Sequence, residues 1–277
     1  MKTYRFEKTS IKSILSIITE HSLTLPFPWD SFTEQNLFKD EIFAIFQQSL
    51  LIGYASVYNS TLSSFYVTKK FYKLAPDIFA DFLSSFKIKD VQLLTNDPLI
   101  VSLISEWDFE IKSRNACFFS DSGRLPKPPV GFENPLFRAA TLCDSERIIS
   151  ATGDFFDKLE ERISSKTIFI LEDSGVLLGC GIIELGVIYR DFVSIGMITC
   201  KEHRKKGIAQ TILWHLKEWV YSNGLYPIAG CWYYNVLSRK SLEASGMIPT
   251  GKSLTLSLIK KEQLPLRTGN PPGELPS

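Results

Sequence analysis

The residues of this 277-residue chain best suited to chemistry cluster in one short segment. Arg204, Gly207 and Ala209 stand in the spacing R-x-x-G-x-A, with Lys201, Lys205 and Lys206 around them. An apolar run, Phe192 to Thr199, precedes the segment, and Ala209, Ile212, Leu213, Leu216 and Val220 recur behind it at the helical period. Glycine thus falls at a strand-to-helix turn, where it can take dihedrals closed to other residues. The first N–H groups of the helix have no intrahelical partner and lie at the positive end of its dipole, an arrangement suited to phosphate. Arg204, Lys205, Lys206, Gly207, Ile208, Ala209 and Gln210 are therefore read as an anion cradle of pyrophosphate type. The bare spacing is weak evidence. Its placement between strand and helix is what makes it specific.

The surrounding pattern supplies the elements that hold this turn. From residue 136 on, strands are expected at Phe137 to Thr141, Thr167 to Leu171, Val176 to Leu185, Phe192 to Thr199 and Pro227 to Tyr233, with a last one through Leu254, Leu256 and Leu258. Helices are expected at Asp144 to Leu159, from Ala209 to Val220, and at Ser238 to Ser245 before Gly246. The first half repeats a similar order: helices at Ser10 to His21, Pro76 to Phe86 and Pro98 to Glu106, and strands at Ile42 to Phe46, Leu50 to Tyr58, Leu62 to Val67 and Val91 to Thr95. A duplicated α+β unit accounts for this, each copy a mostly antiparallel sheet flanked by helices. The expected boundaries are 1–122 for the first unit, 123–135 for a Pro-rich linker, 136–262 for the second unit and 263–277 for a flexible tail.

Composition narrows the function. With 31 Lys+Arg against 30 Asp+Glu, the chain lacks the basic excess of a nucleic-acid binder. Five scattered cysteines without a C-x-x-C pair suit free thiols in a reducing compartment, and the three histidines have no metal-ligand spacing, so no metal is expected. The apolar stretch Ile14 to Ile18 is too short for a signal sequence. The uncharged run Ile42 to Thr68 is broken by Gln47, Gln48, Asn59 and many serines, which suits consecutive strands and not a membrane span. A cytoplasmic protein with a small-molecule partner is expected; nothing in the sequence speaks to oligomeric state.

These residues resemble the GCN5-related N-acetyltransferase (GNAT) superfamily. The segment Arg204-Lys205-Lys206-Gly207-Ile208-Ala209 matches its acyl-CoA pyrophosphate signature, and Asn235, Ser238 and Gly246-Met247 match the N-x-x-[AS]…G-[FM] motif that follows. The resemblance covers residues 136 to 260. The first half resembles a degenerate copy, with Lys73 in place of the glycine and Pro76 behind it, so no CoA is expected there. The resemblance implies acetyl-CoA in a gap between the strand ending at Thr199 and the strand from Pro227. Main-chain groups of Met197, Ile198 and Thr199 would meet the pantetheine, and Asn235 and Ser238 would contact the cofactor from the other side. It further implies acyl transfer from the thioester to a primary amine.

That reaction needs a proton acceptor, an oxyanion donor and an acid for the thiolate. Glu184 and Asp191, which flank the turn into the key strand, are the candidate bases. A strand N–H near Met197 or Ile198 is the candidate oxyanion donor. The tyrosine many members use as acid is Leu242 here, leaving Tyr234, Tyr233 or Ser241 as substitutes. Cys200 is read as structural. The alternatives are a CoA-binding protein without catalysis and a transferase of another acyl or aminoacyl group.

Overall fold

The computed structural model describes residues 4–126 and 135–259; the expected tail, and most of the expected Pro-rich linker, lie outside these. The first half contains β1 (Tyr4–Thr9), α1 (Leu15–Thr24), α2 (Ser31–Leu37), β2 (Glu41–Gln47), β3 (Leu50–Tyr58), β4 (Thr61–Val67), α3 (Ala75–Ser85), β5 (Asp90–Leu94), α4 (Pro98–Ile104) and β6 (Asp108–Asp121). The second contains β7 (Pro135–Ala139), α5 (Ser145–Thr152), α6 (Leu159–Ser164), β8 (Ile168–Asp173), β9 (Val176–Leu185), β10 (Phe192–Thr199), α7 (Ile208–Ser222), β11 (Tyr226–Trp232), α8 (Val236–Ala244) and β12 (Met247–Ile259). The fold is α+β, as expected. The helix expected over 144–159 is instead two, because Gly153 takes φ +64° and Lys158 φ +50°, and both leave the right-handed helical region.

All the strands join one 12-stranded sheet in the order β1-β2-β3-β4-β5-β12-β6-β11-β10-β9-β8-β7. Its pairings are antiparallel except β4–β5 and β10–β11, the same position in each half. The halves exchange their last strands. β6, from the first half, pairs with both β11 and β12 of the second, while β12 reaches across to β5.

Side-chain alternation along the strands divides the core by face. In the first half Phe43, Ile45 and Phe65 pack with Ile78, Phe79 and Phe82 of α3, whereas Ile42, Ala44 and Tyr54 pack with Ile17 and Ile18 of α1. In the second half Val193 and Ile195 lie under Ile212, Leu213 and Leu216 of α7, and Ile168, Ile170 and Cys180 lie under α5 and α6. Neighbouring residues of β6 show the same division: Phe118 belongs to the α1 cluster and Phe119 to the α7 cluster. The helices α1 and α2 therefore cover the face opposite α7. Among the described residues no helix is long and apolar enough to cross a membrane.

Candidate active site

β10 and β11 pair only over Phe192↔Tyr226, Val193↔Pro227 and Ser194↔Ile228, and beyond this they separate. β9 pairs β10 on its other side as far as Thr199, so the gap leaves only the β11-facing main-chain groups of β10 beyond Ser194 without a strand partner. Tyr226 N–H donates to Asp191 C=O on the β11 side (2.9 Å), whereas Gly186 N–H donates to Phe192 C=O (3.2 Å) and Cys200 N–H to Leu178 C=O (3.0 Å) on the β9 side. Alternation then turns the amides of Met197 and Thr199 into the gap and that of Ile198 toward β9. A Cβ on Gly179 of β9 would come within 2.6 Å of Ile198 O, as that orientation requires. Of the two N–H groups considered for the oxyanion, Met197 is the one that faces the gap.

At the end of β10 the chain makes a tight turn with Lys205 at φ +63° and Gly207 at φ +79°. The Gly207 value is the left-handed region that glycine enters at no steric cost. The first bond of α7 runs from Thr211 N–H to Gly207 C=O (3.0 Å), so the amides of Ile208, Ala209 and Gln210 have no intrahelical partner. The first turn of α7 carries no acidic residue. A cleft of about 660 Å³ runs from the gap to this turn. Met197, Ile198 and Thr199 line it from β10, Arg204, Lys205, Gly207, Ile208, Ala209 and Gln210 from the turn and α7. Asn235 and Ser238 line it from α8, where Asn235 Oδ1 also caps the helix by accepting from Ser238 N–H (3.0 Å). Lys206 is exposed and does not line it.

The residues considered for proton transfer are more dispersed. Glu184 is half-buried and held on both oxygens, by Arg162 Nη1 (2.8 Å) and by Ser31 Oγ (2.7 Å). Asp191 is exposed on the turn before β10, and Tyr234 is exposed beside Trp232 and Tyr233. None of the three lines the cleft. Ser241 does, though its hydroxyl donates to Leu237 C=O (3.0 Å); Leu242, in the tyrosine position, is buried in the α7 cluster. Cys200 is buried, and that burial raises its thiol pKa and keeps it protonated.

A second group of residues was not anticipated from the sequence. The helix α2 of the first half sits on the second half at the start of the gap. Ser31 N–H donates to Ser194 Oγ of β10 (2.8 Å), and Ser31 Oγ bonds Glu184 of β9. Glu34, 1% exposed, accepts from the amides of Val187 (2.5 Å), Ile188 (3.1 Å) and Tyr189 (3.0 Å), which connect β9 to β10. Asp30 caps α2 and is 7% exposed. Its burial raises the carboxyl pKa, against the hydrogen bonds from Thr33 and with the repulsion of Glu184 and Glu34. These residues lie about 150 positions from their partners, and the one local signal was the D-x-x-[ST]-like cap at Asp30.

The matching turn of the first half is built differently. A 3₁₀ helix, Lys69–Leu74, runs directly into α3, Leu74 is right-handed, Pro76 occupies the first helical positions and Asp77 stands in the first turn. Proline removes an amide donor and the carboxylate repels an anion.

Comparison with known proteins agrees with this geometry in both halves. A family profile described as "Acetyltransferase (GNAT) domain" matches residues 10–122, and one described as "Acetyltransferase (GNAT) family" matches residues 136–247. No curated protein sequence matches the chain. Among solved structures, an acetyltransferase from the GNAT family of Colwellia psychrerythraea is similar at a TM-score of 0.80 and 16% identity, over 92% of this chain and 100% of its own. A GCN5-related N-acetyltransferase from Sphaerobacter thermophilus has a TM-score of 0.63 and 14% identity, over 92% of this chain and 95% of its own. A tandem GNAT protein from the clavulanic acid biosynthesis pathway has a TM-score of 0.62 and 8% identity, over 91% and 97%. At such identities the structures show likeness of fold alone. With a GNAT profile matched in each half and this fold throughout, the chain is a tandem member of the GCN5-related N-acetyltransferase superfamily.

Proposed function

We propose that the protein is an acetyl-CoA-dependent N-acyltransferase acting on a primary amine, with its one donor site in the second half. The observation that carries this reading is the junction of the β10–β11 gap with the left-handed turn at Gly207. The cleft fits the group. Three amides of α7 without intrahelical partners and the exposed cations of Arg204 and Lys205 suit a pyrophosphate, and the open edge of β10 suits an amide-bearing arm. When bound, acetyl-CoA supplies a thioester whose acyl carbon forms a C–N bond with the amine as its C–S bond breaks and the thiol departs.

The chain's own residues perform the remaining tasks. Main-chain amide and carbonyl groups of Met197 and Thr199 orient the donor, and the Met197 N–H meets the charge that develops on the acyl oxygen. Asn235 and Ser238 close the cleft from α8. The left-handed Gly207 lets the backbone approach the phosphates without a side chain between them. Cys200 is no nucleophile here, since it is buried and its burial raises the thiol pKa.

The reading is tested by following free-thiol release from acetyl-CoA over a panel of primary amines, with the Gly207→Glu variant as control. Amine-dependent release that the variant abolishes is expected. Tight CoA binding without release by any amine would make the protein a binder and not a transferase. Release with another acyl-CoA but not with acetyl-CoA would change the donor.

A further inference from the structure

A second cavity, about 630 Å³, lies on the sheet face opposite α7, under α2, with walls from both halves. Trp29, Phe32, Phe118 and Trp232 supply aromatic surface, and Ser63 and Ser64 of β4 supply hydroxyls. Among the described residues that line it there are two carboxylates, Asp30 and Asp40, and no lysine, arginine or histidine. Asp30 Oδ1 is occupied, accepting from the amide (2.9 Å) and hydroxyl (2.6 Å) of Thr33. Its Oδ2 accepts no hydrogen bond among the described residues, although the side chain is more than nine-tenths buried. That oxygen lies over Gly230, where any Cβ would overlap it. Gly230 is two residues past the last β10–β11 pair, so Asp30 Oδ2 stands at the gap, across the sheet from α7.

Asp40 accepts from the Ser63 hydroxyl, which also meets Ser56 Oγ (3.0 Å). Asp30 and Asp40 bracket α2, whose seven residues at the helical rise span on the order of 10 Å. Among the described residues Asp30 has no ion-pair partner. Glu34 is saturated by the three amides of the β9–β10 connection, and Glu184 is held by Arg162 and Ser31. A buried carboxylate without a counter-ion is unfavourable until a cation reaches it, and aromatic faces favour that cation further.

We infer that this cavity is the acceptor site and that the acceptor is an extended amine with ammonium groups toward both ends and no acidic group, a linear polyamine by class, whose reacting end is held by Asp30 Oδ2 at the gap. The inference rests on the acyl-transfer reading and adds the acceptor's chemistry to it. The bound ammonium gives one proton to Asp30 Oδ2, leaving a neutral amine and a neutral carboxyl. The amine nitrogen then bonds the acyl carbon as the C–S bond breaks, and its surplus proton leaves with the sulfur as the thiol. Burial pushes the Asp30 carboxyl above the ordinary carboxylate range, in the direction that lets it hold this proton. Asp40 positions the distal ammonium.

The test uses the full chain with spermidine, n-butylamine and γ-aminobutyrate as probes. Calorimetry without acyl donor reads amine binding, and thiol release from acetyl-CoA reads turnover. Spermidine is expected to bind. Asp30→Asn and Asp40→Asn should each weaken it about tenfold or more, because each removes the charge from a hydrogen bond to an ammonium. Asp40→Asn should lower spermidine turnover more than n-butylamine turnover, because n-butylamine has no second ammonium. Spermidine turnover should exceed that of both other amines. Spermidine affinity within about twofold of wild type in both variants overturns the inference, and so does preference for γ-aminobutyrate. Thiol release with γ-aminobutyrate would leave acyl transfer standing while this inference falls. Spermidine binding through Asp30 and Asp40 without thiol release from any acyl-CoA would leave an amine-binding site standing while acyl transfer, and with it the acceptor role, falls.

Discussion

Glu34→Ala should loosen the first half from the gap of the second, and the structure sets the size of the effect. The Glu34 carboxylate is buried and accepts three main-chain N–H groups, from Val187, Ile188 and Tyr189. Hydrogen bonds to a charged group contribute about 1.5–3 kcal/mol each. Val187 is 55% exposed, so its amide recovers water once the carboxylate is gone, whereas Ile188 and Tyr189 are half-buried and recover it in part. A net loss of about 2–4 kcal/mol follows. A domain of this size shifts by roughly 2–4 °C per kcal/mol, so Tm should fall by roughly 4–16 °C. Glu34→Gln keeps one acceptor oxygen and should fall between wild type and alanine. Calorimetric melting gives the shift, and hydrogen exchange at the amides of 187–189 localises it. KM for the acceptor should rise while CoA affinity stays unchanged, because α2 carries Asp30 but touches nothing at the Gly207 turn. A Tm loss below about 2 °C, or unchanged protection at those amides, would refute the anchoring role.

Gly230→Ala should displace Asp30, because the new Cβ overlaps Oδ2; acceptor kcat/KM falls about tenfold or more while CoA binding is retained, as steady-state kinetics and calorimetry would show. The pKa of Asp30 is raised on folding, so its ionisation destabilises the native state as pH rises from the ordinary carboxylate range through the native value. Asp30→Asn should therefore raise Tm at pH 7.5 while impairing turnover, with the gain in Tm shrinking as the pH is lowered toward 4. In the wild type, turnover should rise with pH as Asp30 ionises. Of the cysteines only Cys143 is exposed, and burial pushes the Cys231 thiol up to about 11 and the Cys180 thiol up to about 12. A thiol reagent at pH 8 should label about one site in the native chain without loss of activity.

The donor turn was legible because its parts are local. Strand, glycine turn and helix are consecutive, so the periodicity of β10 and α7 located the turn at 204–210 together with the elements on either side of it. The expected strands Leu50 to Tyr58, Val176 to Leu185 and Phe192 to Thr199 end where β3, β9 and β10 do, since each is an apolar run between turn residues. β6 escaped notice because its first half, DFEIKSR, is charged and its short alternation rests on Phe109 and Ile111, both exposed; only Cys117, Phe118 and Phe119 are buried. Without β6 the exchange of last strands could not be foreseen. Asp30, Ser31 and Glu34 escaped for a related reason. Their meaning comes from partners near 184–194 in the other half, and nothing in the seven residues of α2 announces that contact.

The proposed function requires a single acyl-CoA site per chain, built on Gly207. Titration calorimetry of CoA into the full-length protein, beside the Gly207→Glu variant, tests it most directly. One CoA per chain is expected in the wild type and none in the variant, where a carboxylate fills the turn and repels the phosphates. Two CoA per chain, or an affinity unchanged by the substitution, would contradict it.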